Sequence, residues 1–238
     1  MDWVAFGSIA TLLAVVAALA IAIWGDQLKA LASRPALTLS ISMQPPDCHR
    51  ITSTRVEIVQ VPVIPGATNP AIITTPQQVA EIKYQTYYCR LSVGNDGNAA
   101  ARNVGVRAVG LTRLDGKTKT YIDDPHFMGM GLTWSHANGS TVVGKIDPKL
   151  PKHCDLAHVD EPLSKYLQLN TEVTPSEVAP GVWPTVKPAG TYRLRVGVTA
   201  DNAKTLYKTL KIVFQGKWYD TEAEMFKKGL VITVEPDV

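Results

Sequence analysis

The chain opens with an uncharged apolar run that constrains its fold more than any other feature. From Trp3 to Trp24 the run holds 22 residues without a single Asp, Glu, Lys, Arg, His or Pro. As an α-helix it would be about 33 Å long, which matches the roughly 30 Å hydrocarbon core of a bilayer. The two Trp side chains fall where aromatic residues favour the membrane interfaces. We therefore predict that residues 1–35 form a transmembrane helix with a short juxtamembrane extension.

A cleaved signal peptide and a buried soluble helix are the alternatives to a membrane span. A signal peptide could end at Ala30-Leu31-Ala32. However, no Lys or Arg precedes the run, and it exceeds the usual apolar region of about 7–15 residues. A buried helix of a soluble domain would be expected to carry a polar face over such a length.

The distribution of basic residues predicts the orientation of the helix. No Lys or Arg precedes the run, whereas Lys29 and Arg34 follow it closely. The positive-inside bias therefore places the N-terminus outside and the following domain in the cytoplasm. The cysteines favour the same side, because three scattered Cys residues (Cys48, Cys89 and Cys154) do not form a disulfide framework.

Small residues recur along one stripe of the predicted helix. Such a stripe lets the backbones of two helices approach closely in a bilayer. We predict that another transmembrane helix packs on it, although alanine is also simply common in membrane spans. The predicted packing residues are Gly7, Ala10, Thr11, Ala14, Ala18 and Ala22. Because the run has no ionisable side chain, we expect neither an ion path nor a bound cofactor.

Residues 36–238 are long enough for one domain, and their dominant pattern has a period of two. Residues 191–199 show it best, with Tyr192 and Leu194 facing inward and Arg193 and Arg195 facing outward. Similar alternation runs through residues 36–43, 55–63, 84–93, 103–111, 205–214 and 229–236. Short alternating strands joined by Asn-, Asp- and Gly-rich turns predict a two-sheet β-sandwich.

Other segments of this domain depart from the strand pattern. Thr221 and Glu224 form a capping box before a short helix that should end at Gly229. Met225 and Phe226 of this helix should pack on one end of the sandwich. Residues 62–80 and 147–190 are rich in proline, and we predict long loops there, either solvated or wrapped around a partner.

Two stretches resemble known bacterial proteins. The first, LSVGNDGNAAARNVGVRAV (91–109), resembles the strand–turn–strand hairpin of bacterial immunoglobulin-like modules. The second, GTYRLRVGVTADNAKTLYKTLKIVFQGKWYDTEAEMFKKGLVI (190–232), is similar to the end of uncharacterised bacterial single-span membrane proteins. The resemblance implies an immunoglobulin-like β-sandwich behind one membrane helix, and it supplies no activity.

Two small clusters contain residues that could bind a metal. His153, Cys154 and His158 lie close together in one cluster, and Asp47-Cys48-His49 forms the other. Imidazole and thiolate are good zinc ligands, but this spacing matches no established zinc pattern, and the two clusters are far apart in sequence. The alternative is that they are polar loop residues beside a buried, inert cysteine.

The sequence contains no motif that predicts catalysis. It has no G-x-S-x-G, Walker or H-E-x-x-H motif, so we expect no enzyme and no catalytic residues. The net charge is +3, with 24 Lys and Arg against 21 Asp and Glu and no basic run, so nucleic acid is not an expected partner.

Three functional hypotheses follow. The first is an accessory subunit that contacts lipid and the integral-membrane subunits of a larger assembly, such as a respiratory or photosynthetic complex. The second is a membrane-tethered module that recognises a peptide or sugar. The third is a metal-dependent activity around His153, Cys154 and His158.

Overall fold

The structure is a computed structural model that describes residues 13–19, 21–25, 34–60, 77–173 and 183–236. Thirteen strands are present among these residues. Their bounds are β1 Leu37–Ser40, β2 Cys48–Gln60, β3 Gln77–Asn95, β4 Ala101–Leu114, β5 Tyr121–Asp123, β6 Met130–Gly131, β7 Val142–Ile146, β8 Lys152–Asp160, β9 Leu167–Leu169, β10 Val186–Lys187, β11 Gly190–Ala200, β12 Ala203–Phe214 and β13 Leu230–Val234.

The strands form two antiparallel sheets. The six-stranded sheet has the order β1-β3-β8-β9-β10, with β2 also paired to β3. The seven-stranded sheet has the order β13-β12-β11-β4-β5, with β6 and β7 also paired to β4. β1 and β2 lie on one side of β3, and β8 lies on the other. Among the described strands, β2 pairs with β3 alone and is therefore an edge strand. The two sheets confirm the predicted all-β architecture.

The core lies between the inner faces of the two sheets, as the alternation predicts. Tyr192 and Leu194 of β11 are buried, whereas Arg193 and Arg195 are exposed. The same alternation buries residues 87, 89, 91 and 93 of β3 and residues 104, 106 and 108 of β4. Burial of this apolar surface is the main stabilising contribution to such a domain.

The predicted C-terminal helix is present and closes one end of the sandwich. It consists of an α-helical turn, Glu222–Glu224, followed by a π-helical turn, Met225–Gly229. The Thr221 side chain caps it by accepting a hydrogen bond from the Glu224 backbone N–H at 3.3 Å. Met225 and Phe226 are buried, as predicted.

The prediction of a loop throughout residues 147–190 is wrong. Residues 152–160 form β8, which pairs with β3 near the middle of the six-stranded sheet. The alternation is hidden because a β-bulge between Asp155 and Ala157 makes two successive residues, Leu156 and Ala157, face the core. In the other proline-rich segment, β3 already begins at Gln77, and residues 61–76 lie outside the described part of the chain.

Within the described ranges, no helix is long and apolar enough to cross a membrane. Residues 13–19 and 21–25 are helical, and they cover only part of the predicted span. Trp3, Gly7, Ala10, Thr11 and Lys29 lie outside the described residues. The predicted membrane helix as a whole therefore stays a prediction.

Candidate functional site

The two clusters of potential metal ligands meet on the outer face of the six-stranded sheet. Strand pairing aligns His49 of β2 with Tyr88 of β3, and Tyr88 with His158 of β8. Nearby, Asp47 Oδ1 lies 3.1 Å from His153 Nε2. The region is called the polar face below, and it consists of His49, Tyr88, Arg90, Asp155, His158 and Asn170.

The bulge in β8 assembles the polar face. Before the bulge, His153 and Asp155 face outward, and after it, His158 and Asp160 face outward. In a regular strand of the same sequence, without the bulge, the two pairs would lie on opposite faces, because successive side chains alternate along a strand. The bulge therefore places two histidines and two carboxylates on one side of the sheet.

Tyr88 is the centre of this arrangement. Its ring stacks on the His158 imidazole with centroids 5.6 Å apart and an interplanar angle of 10°. The Arg90 guanidinium carbon lies 5.5 Å from the Tyr88 ring centroid, within the range of a cation–π contact. Arg90 Nε is also 3.2 Å from Asp155 Oδ1, and Ser135 Oγ donates a hydrogen bond to the same carboxylate.

Two buried polar atoms of the face, His49 Nδ1 and Asn170 Nδ2, have no well-formed hydrogen bond, whereas the buried Arg90 Nε is held by its ion pair with Asp155. Asn170 Oδ1 is engaged, because it lies 2.5 Å from His158 Nδ1. Native proteins pair nearly all of their buried polar atoms, so two such atoms on one face distinguish this surface from the rest of the sheet.

Burial, assisted by neighbouring charges, favours the uncharged forms of Tyr88 and His49. Burial raises the pKa of the Tyr88 phenol, and the Asp155 carboxylate raises it further. Burial lowers the pKa of His49, and the Arg90 guanidinium also lowers it. Arg90 and Asp155 thus form an ion pair beside two neutral rings, an arrangement suited to binding a polar ligand.

The geometry does not favour the hypothesis of a metal site at His153, Cys154 and His158, an alternative that the sequence leaves open. Cys154 is fully buried on the inner face, opposite to both histidines, and its Sγ donates to Thr133 O at 3.3 Å. Burial raises the pKa of the Cys154 thiol, which disfavours the thiolate that metals bind. Among the described residues, no group of three or more His, Cys, Asp and Glu side chains could hold a metal ion.

A concave region lies beside the C-terminal helix and is lined by other residues than those of the polar face. This cleft, of about 640 Å³, is lined by residues 42–45 on one side and by Glu222, Ala223, Phe226 and Lys227 on the other. Glu222 Oε1 accepts a hydrogen bond from the Arg50 backbone N–H at 2.6 Å. The carboxylate is therefore already engaged in covering the edge of β2.

Five of the ten predicted membrane residues are described. Ala14 and Ala18 lie in helical residues 13–19, Ala22 and Trp24 lie in helical residues 21–25, and all four side chains are exposed. Arg34 precedes β1 and is also exposed. The structure tests neither the packing stripe nor the predicted interface positions.

Part of the polar face could be predicted from the sequence. The alternation in β3 places Tyr88 and Arg90 together on the outer side, and the segment from His153 to Asp160 is rich in titratable groups. The positions of Asn170 and Ser135 could not be predicted, because only the tertiary fold brings Asn170 to His158 and Ser135 to Asp155.

No protein-family model, curated protein or solved structure matches this chain. The resemblance to bacterial single-span proteins with an immunoglobulin-like domain therefore stays a prediction.

Proposed function

We propose that the protein is a non-catalytic, membrane-anchored accessory subunit whose helix docks into a larger integral-membrane assembly. In this proposal the β-sandwich lies on the cytoplasmic side and braces that assembly. The partners are lipid and other integral-membrane subunits.

The observation that carries the proposal is the exposure of the apolar helical residues. Leu13, Val16, Leu19, Ile21 and Ile23 are between 54% and 68% exposed. Such exposed apolar side chains are costly in water, and lipid or other helices would remove that cost. These residues lie inside the uncharged run of 22 residues, whose length fits a bilayer.

Purification of the full chain in mild detergent, followed by mass spectrometry, tests this function. The chain should fractionate with membranes and co-purify with other integral-membrane proteins. The double variant Ala14→Leu with Ala18→Leu should lose those proteins at least tenfold, because larger side chains keep the helix backbones apart. A native chain that elutes alone from the membrane fraction would overturn the docking proposal.

A matched control enlarges or reshapes the opposite side of the helix. At about 100° per residue, Val16 and Ile23 lie roughly 160–200° from Ala14. Val16→Leu with Ile23→Leu should therefore keep the co-purifying proteins. Equal loss in both double variants would point to a general defect in insertion instead of a packing stripe.

The polar face favours a second candidate function, the membrane-tethered recognition of a peptide or sugar. Its unpaired buried atoms and the stacked Tyr88 and His158 rings could contact hydrogen-bonding groups and an apolar sugar or peptide surface. Binding of the full chain in detergent to peptide and glycan arrays tests this function.

The variant Arg90→Gln should weaken any binding at the polar face about tenfold or more, because it removes the charge beside Tyr88 and Asp155. Arg195→Gln is the matched control, since Arg195 is exposed on the outer face of the other sheet. Absence of any binding, or equal effects of the two variants, would contradict a recognition role for this face.

A further inference from the structure

Cys48 and Cys89 lie directly opposite each other on neighbouring strands. The pairing of β2 with β3 aligns Cys48 with Cys89, and both side chains are fully buried. The third cysteine, Cys154, is aligned with Leu91 on the other side of β3. All three are free thiols in the structure.

We propose that Cys48 and Cys89 are a site of oxidative modification. Their two thiols form a cross-strand disulfide when the chain reacts with a low-molecular-weight disulfide. The inference concerns the chemistry of this pair and is independent of the proposed membrane function. It also differs from the sequence-based expectation of no disulfide framework. Cys48 and Cys89 are far apart in sequence, and only the register of β2 and β3 places them opposite each other.

The backbone hydrogen bonds show which kind of pair the two cysteines form. The Arg90 N–H donates to Asp47 O at 2.8 Å, across to β2, whereas the Cys48 N–H donates to Gln44 O at 3.1 Å, away from β3. Positions in an antiparallel ladder alternate between hydrogen-bonded and non-hydrogen-bonded pairs. Cys48 and Cys89 therefore form a non-hydrogen-bonded pair.

This type of pair has a geometry compatible with a disulfide. In non-hydrogen-bonded pairs the Cα atoms are typically about 4.5 Å apart and the side chains approach closely. Disulfides usually join Cα atoms separated by about 4.4–6.8 Å. Both cysteines also face the same side of the sheet, so that bond formation requires no change of register.

The surroundings of the two thiols favour their protonated forms. The Cys48 thiol and burial together raise the pKa of Cys89, and the Cys48 thiol donates to Met43 Sδ at 3.9 Å. The folded pair is consequently a poor nucleophile. We therefore place the reaction in the folding chain, or in states in which the edge strand β2 has opened from β3.

The reaction is a balanced thiol–disulfide exchange. The thiolate of one cysteine attacks a sulfur of oxidised glutathione, which forms a mixed disulfide and releases one glutathione thiolate. The thiolate of the other cysteine then displaces the second glutathione, which forms the Cys48–Cys89 bond. The two protein thiols are oxidised, the glutathione disulfide is reduced to two thiols, and the two protons go to the released glutathione.

The disulfide would link β2 and β3 close to the place where these two strands extend beyond the end of β8. β8 ends opposite Thr86, so among the described strands residues 77–85 of β3 pair with residues 52–60 of β2 alone. The Cys48–Cys89 pair lies a few residues from this extension, where β3 pairs with β2 on one side and with β8 on the other. A covalent link there would hold the edge strand β2 on the sandwich.

The test is oxidation of the full chain in detergent. The protein is incubated with oxidised glutathione in urea below its unfolding midpoint, alkylated, digested and analysed by mass spectrometry. We expect a linked pair of peptides that contain Cys48 and Cys89, with the mass loss of two hydrogen atoms, and an alkylated Cys154. The oxidised protein should unfold at a higher urea concentration than the reduced protein.

Two variants complete the test. Cys154→Ser should form the same link, and Cys48→Ala should form no internal disulfide. Three alkylated cysteines after oxidation of the native chain, or a link that involves Cys154, would overturn the proposal. A link that forms but lowers the urea midpoint would also overturn it, because the bond would then be incompatible with the native register.

Discussion

At the scale of single residues, Asn95 shows how one buried side chain can connect several segments. Its side chain is 1% exposed. Its Nδ2 donates to Ala99 O and to Ile146 O, and its Oδ1 accepts from the N–H groups of Ala36 and Gly97. The amide thereby uses its hydrogen-bonding capacity to join the start of β1, the β3–β4 turn and the end of β7.

Replacement of Asn95 by Ala should lower the free energy of unfolding by about 3 kcal/mol. The change would leave several buried backbone groups unpaired, and each such group costs about 1–3 kcal/mol. Urea unfolding of the full chain in detergent measures the effect. Thr54→Ala, at an exposed position of β2, is the control and should change stability by less than about 0.5 kcal/mol. Equal effects of the two variants would contradict this role for Asn95.

At the scale of elements, sequence periodicity identified the strands that keep a strict alternation. β11 and β12 were predicted nearly to their ends, because the positions that face the core repeat with a period of two. These positions are buried from 192 to 198 in β11 and at 210, 212 and 214 in β12. The short C-terminal helix was also predicted, because its capping residues and its glycine are local signals.

Strands whose pattern depends on tertiary contacts could not be predicted in this way. In β8 the bulge interrupts the alternation, so residues 152–160 resembled a polar loop. The short strands β5, β6, β9 and β10 have only two or three residues, too few for a period to appear. The polar face was only partly predictable for the same reason, because it depends on that bulge and on side chains from several strands and loops.

At the scale of the whole molecule, the chain enters the sandwich at residues 34–36, just before β1. We expect this end of the sandwich to be the one nearest to the predicted membrane helix. Ala36 O accepts a hydrogen bond from the Asp96 N–H at 2.7 Å, in the turn between β3 and β4. This entry is closely packed, since a Cβ atom on Gly97 would collide with the backbone oxygen of Arg34. The loop before β8 contacts the same end of the sandwich, because the Lys149 backbone N–H donates to Asn95 O at 2.9 Å.

The predicted cytoplasmic location of the sandwich requires a new reporter, because the native cysteines cannot serve. Cys48, Cys89 and Cys154 are all fully buried, so an impermeant thiol reagent would not reach them from either side. Leu150, which is 63% exposed in the loop before β8, is a suitable position for an engineered thiol.

If Lys29 and Arg34 orient the helix, the variant Leu150→Cys should remain unlabelled in intact cells and become labelled after the membrane is permeabilised. Asp2→Cys, at the other end of the predicted span, is the matched reporter and should be labelled in intact cells. The native chain should stay unlabelled in both conditions until it is denatured. Labelling of Leu150→Cys in intact cells, with Asp2→Cys protected, would reverse the orientation, because two basic residues would then have failed to hold the sandwich on the cytoplasmic side.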